Sequence, residues 1–458
     1  MRRRLADLLG DASVLGDADA SAFVERVDAR WRTVLVALAV VVVGGSTAVL
    51  FAHDPFYVSA DSALFQHAGW YVGQGAVLYV DVWDLKPPLI YAVTATLAFV
   101  ARGDVAALHV LSVLVSVAAV VGGVAYTGRT VYRLTGDGFA AVVAGTSLFA
   151  LASLYAFPYA GVRPKYFAFL CGAAALSYAV ADRHLAAGVA AALAAGFWQL
   201  GAGVAVVVVA VALQRGGPRA ALRTTASGLA VATVVVSPFV LTGTAVPLFV
   251  EVVLAPLYGV ERSTVPARLL ALVVEVGYGV GLVPLAAYGW WRGVRADRQR
   301  YWWVAAGGAA YCLQVLLEFQ GAIELVLVFV FLALGVGVLV AESPSPDRRL
   351  AVAAVVVVLV ASGAVWQATP AAPGKPQAAA LHDEFDVPDY AALPPDPPGV
   401  PPMDRIYWQR QTPDTCHYRL GDKQKHFERA TGGNLTKSTC GQWPFEREPL
   451  PWLVDRVV

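Results

Sequence analysis

Asp61-Ser-Ala-Leu-Phe-Gln-His-Ala-Gly-Trp-Tyr-Val-Gly-Gln-Gly75, then Ala76-Val-Leu, then Tyr79-Val-Asp-Val-Trp-Asp-Leu-Lys-Pro-Pro-Leu-Ile-Tyr91, is the stretch from which the rest of the chain is read. Strongly apolar runs flank it at 31–52 and 87–100. The simplest arrangement is two membrane helices joined by a loop of carboxylates, a lysine and aromatics. A plain connector needs no such concentration of ionisable groups. At the water boundary a charge costs little, and aromatic side chains hold a loop against the lipid headgroups.

Composition agrees. Hydrophobic residues make up 58% of the 458 residues and charged residues 15%, with a mean hydropathy of +0.60. Soluble globular domains carry less apolar content than this. Apolar segments fall near 32–52, 87–101, 105–126, 139–157, 165–181, 186–213, 224–243, 268–290, 302–318, 321–341 and 350–366. The fold class is therefore an all-α polytopic membrane protein with about eleven (eleven to thirteen) transmembrane helices. The first run spans a full bilayer and lacks a small-residue cleavage site, so it reads as a retained span. The net charge of +1 says nothing about partners, and no nucleic-acid motif is present.

Arg26, Arg30 and Arg32 precede the first span and place the N-terminus in the cytoplasm. The clusters Arg215, Arg219, Arg223, then Arg292, Arg295, Arg298, Arg300, then Arg348 and Arg349 fall on the same side. An odd number of spans puts the C-terminal tail outside, in the cell membrane's outer space. Simple alternation leaves Arg129, Arg133 and Arg183 outside, against the rule. A second arrangement moves them inside: 87–101 only dips into the membrane, and 186–213 makes two short crossings at the Gly196-Phe-Trp-Gln-Leu-Gly201 break. Both arrangements keep 53–86, 244–267 and the tail external.

The domains follow: a cytoplasmic tail over 1–31, a membrane domain over 32–366 with its first external loop at 53–86, a Pro/Ala-rich linker over 367–402, and a small external module over 403–458. Extended chain is expected of the linker. Cys171 and Cys312 lie in apolar segments as small hydrophobes, whereas Cys416 and Cys440 lie in the external tail, where a disulfide is the simplest pairing. Zinc held by Cys416, His417, His426 and Cys440 is the alternative, at a spacing that matches no standard site.

The loop resembles the first external loop of the GT-C glycosyltransferases, closest to the protein-mannosyltransferase and aminoarabinose-transferase branch. The resemblance rests on Asp61, Gly75, Tyr79, Asp81, Lys86, Pro87, Pro88 and Leu89 in that order, and covers about thirty residues of the 458. It implies a GT-C-like bundle and transfer of a sugar from a polyprenyl- or dolichyl-phosphate donor to a glycan or protein acceptor on the outer face. Mannose is the first expectation, with inversion at the anomeric carbon. Relatives often carry Arg-Pro-Asp in a later external turn; this chain has Arg163-Pro-Lys165. Either catalysis needs no divalent metal (Mg or Mn), or another carboxylate substitutes.

Such a transfer needs a base for the acceptor hydroxyl and a cation for the departing phosphate. Residues 62–72 read as a short amphipathic helix with Leu64, Ala68, Tyr71 and Val72 on one face. Asp61 stands at its N-terminus, either as an N-cap or as the base, and the two roles are compatible. The resemblance favours catalysis; metal binding by Asp61 is left open. Lys86, before Pro87-Pro88, either meets the donor phosphate or snorkels to headgroups. Arg163 and Lys165 are further phosphate-binding candidates. Tyr79, Asp81, Trp83, Asp84 and Glu275 are candidate substrate-binding residues, with solvated carboxylates and interfacial aromatics as the plain alternative. Glu251, Glu261, Glu318 and Glu324 are weaker acidic candidates, with pairing to Arg262 or Arg268 as the structural explanation. A polytopic transporter or lipid-linked-sugar flippase is the rival reading, but those tend to show repeated halves and midplane charges. Here charges gather at the outer ends of the spans.

Overall fold

The computed structural model describes residues 17–82, 84–258, 264–317, 319, 321–384 and 403–410. Among these residues there is no strand, only one isolated bridge between Leu78 and Val82. Helix α1 (Asp17–Ala29) leads into α2 (Trp31–His53), then α3 (Ala60–Gly73) and α4 (Leu89–Val100). Helices α5 (Val105–Thr135), α6 (Gly138–Ala150), α7 (Pro164–Val180) and α8 (His184–Phe197) follow. Helix α9 (Gly201–Leu241) breaks at Gly217, whose φ of 71° precedes Pro218. Helices α10 (Ala245–Leu257), α11 (Val265–Val276) and α12 (Leu282–Ala296) come next, then α13 (Arg298–Leu317), α14 (Ala322–Ala341) and α15 (Pro346–Ala368). Two short helices, α16 (Lys375–Glu384) and α17 (Met403–Trp408), complete the described chain.

Among the described residues six units are long and apolar enough to cross a membrane: α2, α5, α9, the pair α11–α12, α14 and α15. Helix α14 is the axis of the bundle. Its whole run from 326 to 340 is buried, so it carries no polar face at all. Helix α12 reaches it through small residues. A Cβ at Gly289 would collide with the Gly335 carbonyl, and Trp290 Nε1 donates to Phe331 O at 3.1 Å.

Polar contacts sort the helix ends into two faces. On the basic face, Asp28 Oδ1 accepts from Gly138 N at 2.5 Å and Arg349 pairs with Asp137. Arg215 grips Asp182 through Nε at 2.8 Å and Nη2 at 2.9 Å, and Arg292 Nη2 donates to Glu342 O at 2.8 Å. Arg133 bonds Ser177 on the same side. Arg133 and the Arg183 turn thus join the other arginine clusters, which selects the second arrangement of the middle. Helix α4, about 18 Å long, cannot span about 30 Å of hydrocarbon. It lies along α3, and the left-handed turn at Arg102 (φ 54°) and Gly103 (φ 75°) returns the chain to the loop face. Trp198–Leu200 is the turn between α8 and α9.

The linker is not extended throughout. Its alanine run forms α16, as the high helix propensity of alanine favours. Helix α17 docks on the loop face: Tyr407 is fully buried, its hydroxyl 2.6 Å from Val105 O and 3.1 Å from Gln66 Oε1. The expected Cys416–Cys440 disulfide and most of the C-terminal module lie outside the described residues.

Candidate active site

Helix α3 begins two residues earlier than the sequence reading, and its cap is Ser59. The Ser59 Oγ accepts from Ser62 N at 3.3 Å and donates to Ser62 Oγ at 2.9 Å. Asp61 is therefore not the cap. It sits in the first turn, where the helix dipole favours a carboxylate. Arg163 Nη2 donates to Ser59 Oγ at 3.1 Å, and its Nη1 lies 3.5 Å from Asp61 Oδ2. Asp61 is 66% exposed and Arg163 16%. An exposed ion pair adds no more than about 1 kcal/mol to stability. The pair sets a mostly buried guanidinium beside an open carboxylate.

The face of α3 expected to be apolar does pack inward, with Ala68 buried and Leu64, Tyr71 and Val72 partly so. Ser62, Gln66 and His67 are fully buried with it, so the helix is embedded in protein rather than amphipathic on a lipid surface. Gln66 Nε2 donates to Ser62 O at 3.1 Å. Gly69 sets the approach to α4, because a Cβ there would collide with Thr94.

Lys86 is positioned by its backbone. Tyr79, in the left-handed region at φ 67° and fully buried, donates its hydroxyl to Lys86 O at 2.7 Å. Tyr79 is thus part of the frame of the loop, its ring enclosed by protein. Asp81 Oδ2 accepts from Val77 N at 2.7 Å and closes the turn around Tyr79. Asp84 Oδ1 accepts from Leu85 N at 2.7 Å and Oδ2 from Tyr91 Oη at 2.5 Å. Burial raises the Asp84 carboxyl above its ordinary 3.8, against the lowering effects of Lys86, Tyr91 and the Leu85 amide. Burial, then the charges of Asp84 and Glu251, pushes the Tyr79 hydroxyl well up. Gln199, in the α8–α9 turn, completes the frame by donating to Leu85 O at 2.5 Å and Val252 O at 3.2 Å.

The Lys86 side chain lines a cavity of about 740 Å³ together with Pro87, Pro88, Trp198, Gln199 and Glu324, its walls coming from α8, α9 and α10 and being largely apolar. Lys86 enters no ion pair among the described residues. Lys165 does: its Nζ is 3.3 Å from Glu324 Oε1 and 5.5 Å from the Trp198 ring centre. Glu324 thus supplies the carboxylate beside Arg163-Pro164-Lys165. The charges of Asp61 and Lys86 both act on Asp84 and on Lys165, which places them in one cluster on the loop face.

Glu275 is exposed, accepts from Ala322 N at 3.4 Å, and lies on the last turn of α11 before the Gly277 break. It bridges two segments and contacts neither Asp61 nor Lys86 among the described interactions. Trp83, Glu261, Arg262 and Glu318 lie outside the described residues. Glu251 is buried in a π-turn of α10 and its charge reaches Tyr79 and Tyr91. No group of three or more His, Cys, Asp or Glu among the described residues is placed to hold a metal ion. The two site carboxylates are held by Arg163 and by Tyr91 with Leu85 N, so they do not form a donor set. Sequence reading missed Gln199 and Tyr91; the glycine-flanked break around Gln199 was the only signal.

Residues 75–237 match the family described as DolP-mannose mannosyltransferase. The chain is 26% identical over 417 residues to a dolichol phosphate-mannose mannosyltransferase of Haloferax volcanii, covering 84% of this chain and 91% of the relative. Two crystal structures of ArnT from Cupriavidus metallidurans are similar in fold. The one bound to undecaprenyl phosphate gives a TM-score of 0.53 at 17% identity, over 87% of this chain and 76% of that one. The apo structure gives 0.52 at 17% identity, over 88% and 76%. Helical architecture and these likenesses agree on a multi-pass membrane glycosyltransferase that shares the fold of the two ArnT structures and is similar in sequence to dolichol phosphate-mannose mannosyltransferases.

Proposed function

We propose that the protein transfers a mannosyl group from a dolichyl- or polyprenyl-phosphate donor to a glycan or protein acceptor outside the cell membrane. The family description and the named relatives support that donor. The observation that carries the reading is the placement of an exposed carboxylate, Asp61, in one charge cluster with Lys86, an ammonium in no ion pair among the described residues, which lines an apolar cavity. The cavity's walls suit the first isoprene units, and Lys86 stands where the phosphate would emerge.

In the proposed step Asp61 takes the acceptor hydroxyl proton as that oxygen attacks the anomeric carbon. The bond from that carbon to the phosphate oxygen breaks, and configuration inverts. Polyprenyl phosphate leaves with one more negative charge than it had in the donor, and Lys86 stabilises that charge. Arg163 orients Asp61, while Lys165, neutralised by Glu324, stays behind as a structural cation. The basic face is cytoplasmic by the positive-inside rule, so the N-terminus is inside and the reaction is external.

Purified protein in liposomes with radiolabelled mannosyl-phospholipid tests this. Release of label into a water-soluble glycan or peptide is the expected result. Absence of transfer from every lipid-linked sugar, with the lipid instead moved between leaflets, would favour the flippase reading.

A further inference from the structure

Since the Tyr79 ring is buried, the aromatic surface available to a sugar near Asp61 lies elsewhere. Two segments, 57–61 and 159–163, run side by side. Ser59 N donates to Ala160 O at 3.4 Å, and Arg163 bridges Ser59 Oγ and Asp61. At the other end the Tyr57 and Tyr159 rings stack, with centroids 5.3 Å apart and planes 18° from parallel. Tyr57 and Phe157 are each 40% exposed, and Phe157 lies 5.6 Å from the Arg163 guanidinium. Tyr57 and Asp61 are four residues apart, so their Cα atoms lie at most about 14 Å from each other, a separation on the scale of a short oligosaccharide.

We propose that Tyr57 and Tyr159 form an acceptor subsite that holds the penultimate ring of an oligosaccharide whose terminal hydroxyl lies at Asp61. This rests on the mannosyl-transfer reading and deepens it by naming a glycan, of two or more sugars, as acceptor. One face of a pyranose is a layer of C–H bonds, which packs on the electron-rich face of an aromatic ring. Rings already stacked on each other lose little freedom on binding. An interfacial belt would explain isolated tyrosines facing lipid. It does not explain a stacked pair joined through Ser59 and Arg163 to the catalytic carboxylate. None of Tyr57, Phe157, Tyr159 or Arg163 lines the cavity at Lys86, so acceptor and donor would not compete.

The test compares mannobiose with methyl mannoside as acceptors for the liposome-reconstituted protein. Tyr57→Ala and Tyr159→Ala should each raise the acceptor KM about tenfold for mannobiose and less than twofold for methyl mannoside, with the donor KM unmoved. Tyr57→Phe and Tyr159→Phe keep the rings and should restore the wild-type value. Saturation-transfer NMR of mannobiose needs no donor and no turnover: ring-to-sugar transfer should be present in wild type and lost in the double Ala variant. Equal KM values, equal NMR transfer in wild type and the Ala variant, or no contact of mannobiose with the wild type would each overturn the subsite. If NMR contact is seen but no lipid donor reacts, the subsite stands as a glycan site and the transfer reading fails.

Discussion

Arg163 and Asp61 face each other at 3.5 Å, the first mostly buried and the second open to solvent. The same guanidinium holds the Ser59 cap, so one side chain fixes both the start of α3 and the direction of the carboxylate. Replacing it with Met should therefore lower kcat by about a hundredfold, the usual penalty for a reacting group displaced by an ångström. Arg163→Lys keeps charge but not the fork and should fall between. Steady-state transfer in liposomes checks this; equal kcat for Met and wild type would remove Arg163 from the orienting role.

Gln199 ties the Lys86 loop to α10 through two carbonyls. Gln199→Leu leaves those acceptors without their donor, at a cost of about 1–3 kcal/mol. The donor KM is expected to rise about tenfold, because the Leu85–Lys86 segment loses its tether, while the acceptor KM stays put. A change confined to the acceptor would contradict the assignment.

Much of this site was foreseeable from the loop and some was not. Asp61 and Lys86 came from the order of residues in one short stretch, because both belong to local chain segments whose helices and prolines announce themselves. The Ser59 cap was missed because Asp61 is as good a cap by type, and only tertiary contact with Arg163 decides between them. The burial of Tyr79 was not legible either. Sequence shows an aromatic in a polar loop but not its left-handed backbone, which turns the ring inward. The Lys165–Glu324 pair joins residues from two distant helices, beyond the reach of any spacing argument. The middle of the bundle was ambiguous for a related reason: α4 is apolar enough to span but too short, and its return turn is set by Arg102 and Gly103.

Lys165 and Glu324 are 13% and 12% exposed, so each shields the other's charge. Removing one partner leaves a buried charge and costs about 3 kcal/mol, whereas an apolar pair of similar volume is close to neutral. Lys165→Met and Glu324→Leu should each lower the unfolding midpoint in detergent, and the double variant should recover most of it. Additive losses would contradict a direct pair.

The raised Asp84 carboxyl makes a pH prediction. A carboxyl held above its ordinary 3.8 binds its proton more tightly folded than unfolded. Its stabilising contribution is present at low pH and is lost as pH rises through the folded value. Asp84→Asn has no such loss, so the stability of wild type relative to this variant should decline as pH rises above the ordinary carboxyl value of 3.8. A flat difference across that range would show that Asp84 ionises normally.

In the proposed reaction Asp61 receives the acceptor's proton while Lys86 holds the leaving phosphate. The most direct measurement is single-turnover mannosyl transfer by Asp61→Asn in liposomes, alongside binding of the labelled donor. The chemical step should slow by about a thousandfold, within the range lost with a general base, while donor affinity stays within twofold of wild type. Transfer by Asp61→Asn at the wild-type rate would contradict it.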